Sequence, residues 1–100
     1  MPKVIIYARN NTNHLGELDD QVQELLGFAK KKGFEVVALF KEVASGASTD
    51  RLALHEVVKL IQDQPDTLLL VKDMSRISDD HSELSKFLGL FSNKVITVLD

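Results

Sequence analysis

Val4-Ile5-Ile6-Tyr7-Ala8-Arg9-Asn10-Asn11-Thr12 is the stretch on which the reading of this chain turns. Its first half is a β-branched run closed by an aromatic ring, without polar alternation, which reads as a strand buried on both faces. Its second half delivers one cation and a string of amides to the strand's carboxyl end. Outward from it, apolar residues fall at Leu18, Val22, Leu25, Leu26 and Ala29, one stripe of an amphipathic helix over residues 17–32. Lys30-Lys31-Lys32 followed by Gly33 supplies a cationic last turn and a glycine stop.

The pattern then repeats. Residues 36–40 form a second all-apolar strand, and Asp50 is a good cap for a helix striped by Leu54, Val57, Val58 and Ile61. Gln64-Pro65-Asp66 breaks that helix, and Leu68-Leu69-Leu70-Val71 reads as strand three. Asp79 and Asp80 can cap a third helix carrying Leu84, Phe87, Leu88 and Phe91, which Ser92-Asn93 ends before strand four at residues 95–99. Strands buried on both faces and joined by crossover helices predict a small three-layer α/β domain. Its expected sheet has four mostly parallel strands with helices on both faces. One hundred residues make one core, and no linker or low-complexity segment divides residues 1–100.

Composition narrows the function classes. Hydrophobic residues at 44% and charged residues at 27% match an ordinary globular protein, and no apolar run reaches the roughly 20 residues of a membrane span. The N-terminus lacks the cleavage site of a signal peptide, and the absence of cysteine fits a reducing cytoplasm. A formal net charge of −3 argues against a chain that grips nucleic acid by neutralising phosphates. His14, His55 and His81 show no metal-ligand spacing, so no metal site is expected. Lys30-Lys31-Lys32 reads as a solvated helix end, and Phe28, Phe87 and Phe91 as core or interface residues.

In open parallel sheets, ligands bind beyond the carboxyl ends of the strands. The chain's only arginines, Arg9, Arg51 and Arg76, all fall in segments assigned to loops or helix starts on that edge. Guanidinium groups clamp phosphate or carboxylate through paired hydrogen bonds, so three on one edge mark a candidate anion site. Surface solvation, or pairing with Asp50, Asp73 and Asp79, is the competing reading.

Tyr7-Ala8-Arg9-Asn10-Asn11-Thr12 followed by Leu18-Asp19-Asp20-Gln21 resembles the opening of the serine recombinases, the resolvase/invertase family. Ser45-Gly46 with Asp50-Arg51 is similar to that family's second signature. Asp66-Thr67-Leu68-Leu69-Leu70-Val71 with Ser75-Arg76-Ile77-Ser78 is similar to its third. The resemblance implies a resolvase catalytic-domain-like fold and DNA strand cleavage and exchange, without a metal or other cofactor, through a phosphoserine intermediate. It implies that Arg9, Arg51 and Arg76 bind the scissile phosphate, with Tyr7, Gln21, Ser45, Gly46, Asp66 and Ser75 in supporting places. Gly46 would supply the backbone bend of a phosphate-facing loop.

Two departures fall on the chemistry. Asn11 stands at the position of the family's nucleophilic serine, and a carboxamide cannot form the ester intermediate. Asp79 stands where the family has a further arginine after Arg76, which places repulsion beside the same phosphate. Family members also continue into a long dimerising helix and a separate DNA-binding domain, and residues 1–100 contain neither.

The expectation is therefore a degenerate recombinase domain linked to DNA recombination on a mobile element, with DNA contact weak or absent for this chain alone. Such a domain would have a regulatory, architectural or remnant role, as a homo-oligomer or a hetero-oligomer with an active recombinase, and no membrane partner. Two alternatives stay open. One is an active recombinase fragment that uses Thr12, Ser45, Ser48 or Ser75 as its hydroxyl. The other is a phosphate- or nucleotide-binding module built on the arginine edge.

Overall fold

The computed structural model of the chain describes residues 1–11, 15–44 and 52–98. The elements run β1 (Lys3–Asn10), α1 (Leu15–Lys32), β2 (Glu35–Val43), α2 (Leu52–Asp63), β3 (Thr67–Val71), α3 (His81–Phe91) and β4 (Val95–Thr97). The strands lie in the order β2-β1-β3-β4, and every pairing is parallel.

β1 is central because its side chains suit both faces at once. Val4, Ile5, Ile6, Tyr7 and Ala8 are all buried without residual exposure. The pleat sends Val4, Ile6 and Ala8 into one core with Leu18, Val22, Leu25 and Ala29 of α1. Ile5 and Tyr7 enter the other, with Leu54, Val57 and Ile61 of α2 and Phe87 and Phe91 of α3. Helices therefore cover both faces of the sheet. The sheet neighbours of β1 are β2, which follows it through α1, and β3, so β1 and β3 flank the point where strand order reverses.

Helix ends follow local rules. Gly33 adopts φ 73°, and the last turn of α1 closes with Gly33 N donating to Lys30 O (3.2 Å) and Phe34 N to Ala29 O (2.8 Å). This bond pair is the Schellman motif, and Phe34 completes it by packing on Phe28 at 6.2 Å between ring centroids. Asp80, one of the two expected caps of α3, accepts from Glu83 N at 2.9 Å. The proposed cap of α2, Asp50, lies outside the described residues, as does the far end of strand four at Leu99. No described helix is long and apolar enough to cross a membrane.

β2 corrects the reading of its apolar run. It is a sheet edge whose burial alternates along its length, with Val37 40%, Leu39 38% and Val43 44% exposed. A strand with one neighbour lies at the margin of the helix layers, and a register shift between Val4 and Ile5 of β1 further offsets its pleat. β1 also runs longer than its apolar core, so Arg9 sits inside the ladder opposite Glu42, rather than in a loop.

Ile5→Ala removes a fully buried side chain from the central strand and is expected to lower stability by about 2–5 kcal/mol. Leu39→Ala on the open side of β2 is expected to lose less than about 1 kcal/mol. Urea unfolding followed by circular dichroism measures both, and equal losses would mean that β2 is covered as fully as β1.

Candidate functional site

The carboxyl edge of the sheet is organised around Arg9. Its side chain is buried, 2% exposed, and a charge in that position needs an acceptor for each N–H. Nε donates to Arg76 O at 2.8 Å, Nη1 to Ala44 O at 2.7 Å and to Asn11 Oδ1, and Nη2 to Ser75 O at 2.6 Å. Asp79 Oδ2 lies 3.6 Å from Nη2 and completes the surround. The exits of β1, β2 and β3 are thus joined by one guanidinium.

The main chain of Arg9 is held as firmly. Gln21, 4% exposed on α1, accepts from Arg9 N at 3.1 Å and donates from Nε2 to Arg9 O at 3.2 Å. Arg76 Nη1 donates to the same carbonyl at 3.1 Å, and its Nε lies 3.7 Å from Asp73 Oδ2. Asp73 in turn caps the 3-10 turn Met74–Arg76, accepting from Ser75 N at 3.0 Å and from the Ser75 hydroxyl.

A second carboxylate works from β2. Glu42 Oε1 accepts the Tyr7 hydroxyl at 2.6 Å, and Oε2 accepts Ala53 N at 2.8 Å. It therefore satisfies a backbone donor in the first turn of α2 and ties that helix to β1. Beside Arg76 opens a cleft of about 570 Å³, lined by Glu17, Asp20 and Glu24 of α1 together with Lys72, Arg76, Asn10 and Gln21. Lys72 pairs across it with Glu24 at 3.4 Å.

Of the residues singled out in the sequence, the fold brings Arg9, Asn11, Gln21, Ser75 and Arg76 into one bonded cluster. Tyr7 joins its border through Glu42. Asp66 does not join: it is exposed in the turn before β3, at the opposite edge of the sheet. Ser45, Gly46 and Arg51 lie outside the described residues, as do Thr12 and Ser48. Among the described residues no group of three or more His, Asp, Glu or Cys side chains is placed to hold a metal ion.

A family model described as the resolvase N-terminal domain matches residues 4–100. The chain belongs to the resolvase N-terminal domain family. Among solved structures it is similar to the C-terminal catalytic domain of ISC1926 TnpA, an IS607-like serine recombinase. That match has a TM-score of 0.86 and 28% identity over 98% of this chain and 70% of that one. It shares its fold with the N-terminal catalytic domain of TP901-1 integrase, at TM-score 0.84 and 24% identity over 96% of this chain and 76% of that one. A resolvase family site-specific recombinase from Streptococcus pneumoniae has the same fold, at TM-score 0.80 and 20% identity over 98% of this chain and 72% of that one.

In this resolvase-family domain, sequence reasoning named Asp73 and Asp79 as possible arginine partners, and they face Arg76 and Arg9, but it missed Glu42, the capping role of Asp73 and the carbonyls of Ala44, Ser75 and Arg76. The Asp73-x-Ser75 spacing carried a signal, since aspartate two residues before serine commonly caps a tight turn. Glu42 carried a weaker one, a carboxylate at the end of an apolar strand. The carbonyls carried none, because any residue supplies one. Gln21→Leu leaves the buried N–H of Arg9 without its acceptor and is expected to cost about 1–3 kcal/mol. The urea midpoint reads the loss, and an unchanged midpoint would show that the clamp adds nothing.

Proposed function

We propose that this chain is a degenerate serine recombinase domain, tied to DNA recombination but unable to cleave DNA itself. Its family membership makes DNA recombination the process to which it belongs. The observation that carries the finer reading is the state of Asn11. Its carboxamide oxygen accepts from Arg9 Nη1, where a nucleophile would need an ionisable hydroxyl aimed at phosphorus. Without a covalent ester no strand can be held for exchange, whatever charge surrounds it.

Ser75 is the one described hydroxyl among the candidate substitutes, and it donates to Asp73 within a local cap. That bond gives it a structural occupation and supports the non-cleaving reading over the active-fragment one. The role left to the domain is contact: a regulatory or architectural subunit that associates with a second copy or with an active recombinase. DNA held by this chain alone would be weak, since its charge is −3 and Lys72 and Arg76, cations of this edge, already face carboxylates.

Incubation of the chain with duplex DNA tiled across its own encoding locus, followed by denaturing electrophoresis, tests the reading. No covalent protein–DNA product is expected. A product that disappears in Ser75→Ala or Thr12→Ala would overturn the proposal in favour of an active fragment using that hydroxyl.

A further inference from the structure

Two guanidinium groups meet at the carboxyl edge of β1 and β3, and carboxylates of the chain face both. Arg76 Nη1 bonds the carbonyl of Arg9, while its Nε faces Asp73 at 3.7 Å. Arg9 directs Nη2 toward Asp79 at 3.6 Å, and Asp79 is 47% exposed, on the solvent side of a guanidinium that is 2% exposed. The remaining N–H groups of Arg9 go to Ala44 O, Ser75 O and Arg76 O and to the amide oxygen of exposed Asn11. An oxyanion approaching from solvent would thus meet the Asp79 carboxylate or the Asn11 amide before it met Arg9.

We propose that Asp79 is a built-in occupant of an oxyanion site formed by Arg9 and Arg76, its carboxylate taking the guanidinium edge that a phosphate-class anion would otherwise take. Three features fit this. Asp79 is placed at the start of α3 but leaves the capping of that helix to Asp80, so its carboxylate is available to Arg9. Asp73 answers Arg76 in the same way, so both cations of the pair are neutralised from within the chain. A carboxylate and a phosphate oxygen present the same acceptor geometry to a guanidinium, so the two compete for the same N–H groups. Asp79 also repels the incoming anion, which makes competition stronger than simple occupancy.

The inference rests on the family reading only in naming the anion class. A covalent DNA product would sink that reading and leave this comparison untouched. Inorganic pyrophosphate titrated at constant ionic strength, with the melting temperature as readout, provides the test. Wild type is expected to show no saturable stabilisation. Asp79→Asn, which keeps the shape and removes the charge, is expected to bind pyrophosphate at least about fivefold more tightly. Asp63→Asn, at the exposed end of α2, makes the same change in net charge away from the site and should behave as wild type. Asp79→Ser gives the same comparison should the amide pack poorly. Equal affinity in wild type and both Asp79 variants, or no binding by either variant, would overturn the proposal.

Discussion

A guanidinium with 2% exposure keeps its charge only if acceptors replace the water it has lost, and in this chain most of them are main-chain carbonyls. Those carbonyls belong to residues 35, 66 and 67 positions away in the chain, at the exits of β2 and β3. The requirement therefore runs in two directions. The parallel order β2-β1-β3 is what brings three strand exits within reach of one side chain, and Arg9 in turn fixes how far apart those exits can stand. Hydrogen bonds to a charged donor are worth roughly 1.5–3 kcal/mol each in favourable cases, more than a neutral loop contact. Removing one partner would leave a buried charge, which is a larger loss than the bond itself.

The same constraint explains the neighbouring side chains. Gln21 fixes the backbone on which Arg9 is mounted, and Arg76 bonds the same carbonyl. Glu42 holds Tyr7 and the first turn of α2, bordering the cluster from the β2 side. Each of these groups sits at the carboxyl end of a strand or on a helix facing it, so the fold concentrates polar interactions on one edge while both faces stay apolar. Ligand sites of open parallel sheets form there for this reason: polar groups gather where the ladder ends and main-chain groups need partners.

What was legible in the sequence was whatever depends on near neighbours. The unbroken run Val4-Ile5-Ile6-Tyr7 marks the central strand, Lys30-Lys31-Lys32-Gly33 marks the end of α1, and the pair Asp79-Asp80 marks the start of α3. What was not legible depends on strand order. Val37 and Leu39 read as interior because apolar strands usually are, yet they lie at a sheet edge that no local pattern records. Arg9 read as a loop cation because its partners are carbonyls remote in sequence, and main-chain acceptors leave no residue-type signature. Asp66 matched a signature by its spacing but sits at the amino end of β3, since sequence proximity to a strand does not say which edge a residue occupies.

Charge balance at this edge connects stability to function. Sites that stabilise a phosphoryl-transfer transition state hold positive charge aimed at empty space, and that arrangement is strained until substrate arrives. Here the described cations are answered from within: Arg9 by carbonyls and Asp79, Arg76 by Asp73, Lys72 by Glu24. Internal answers relieve like-charge repulsion and lock the strand exits together, so they favour the folded chain. On the proposed reading they also compete with the preorganised field on which catalysis of phosphoryl transfer depends, because a guanidinium cannot hold its own carboxylate and a substrate oxygen through the same N–H. Asn11 and Asp79, far apart in sequence, act on one guanidinium, so the two side chains bear on one physical state of the site.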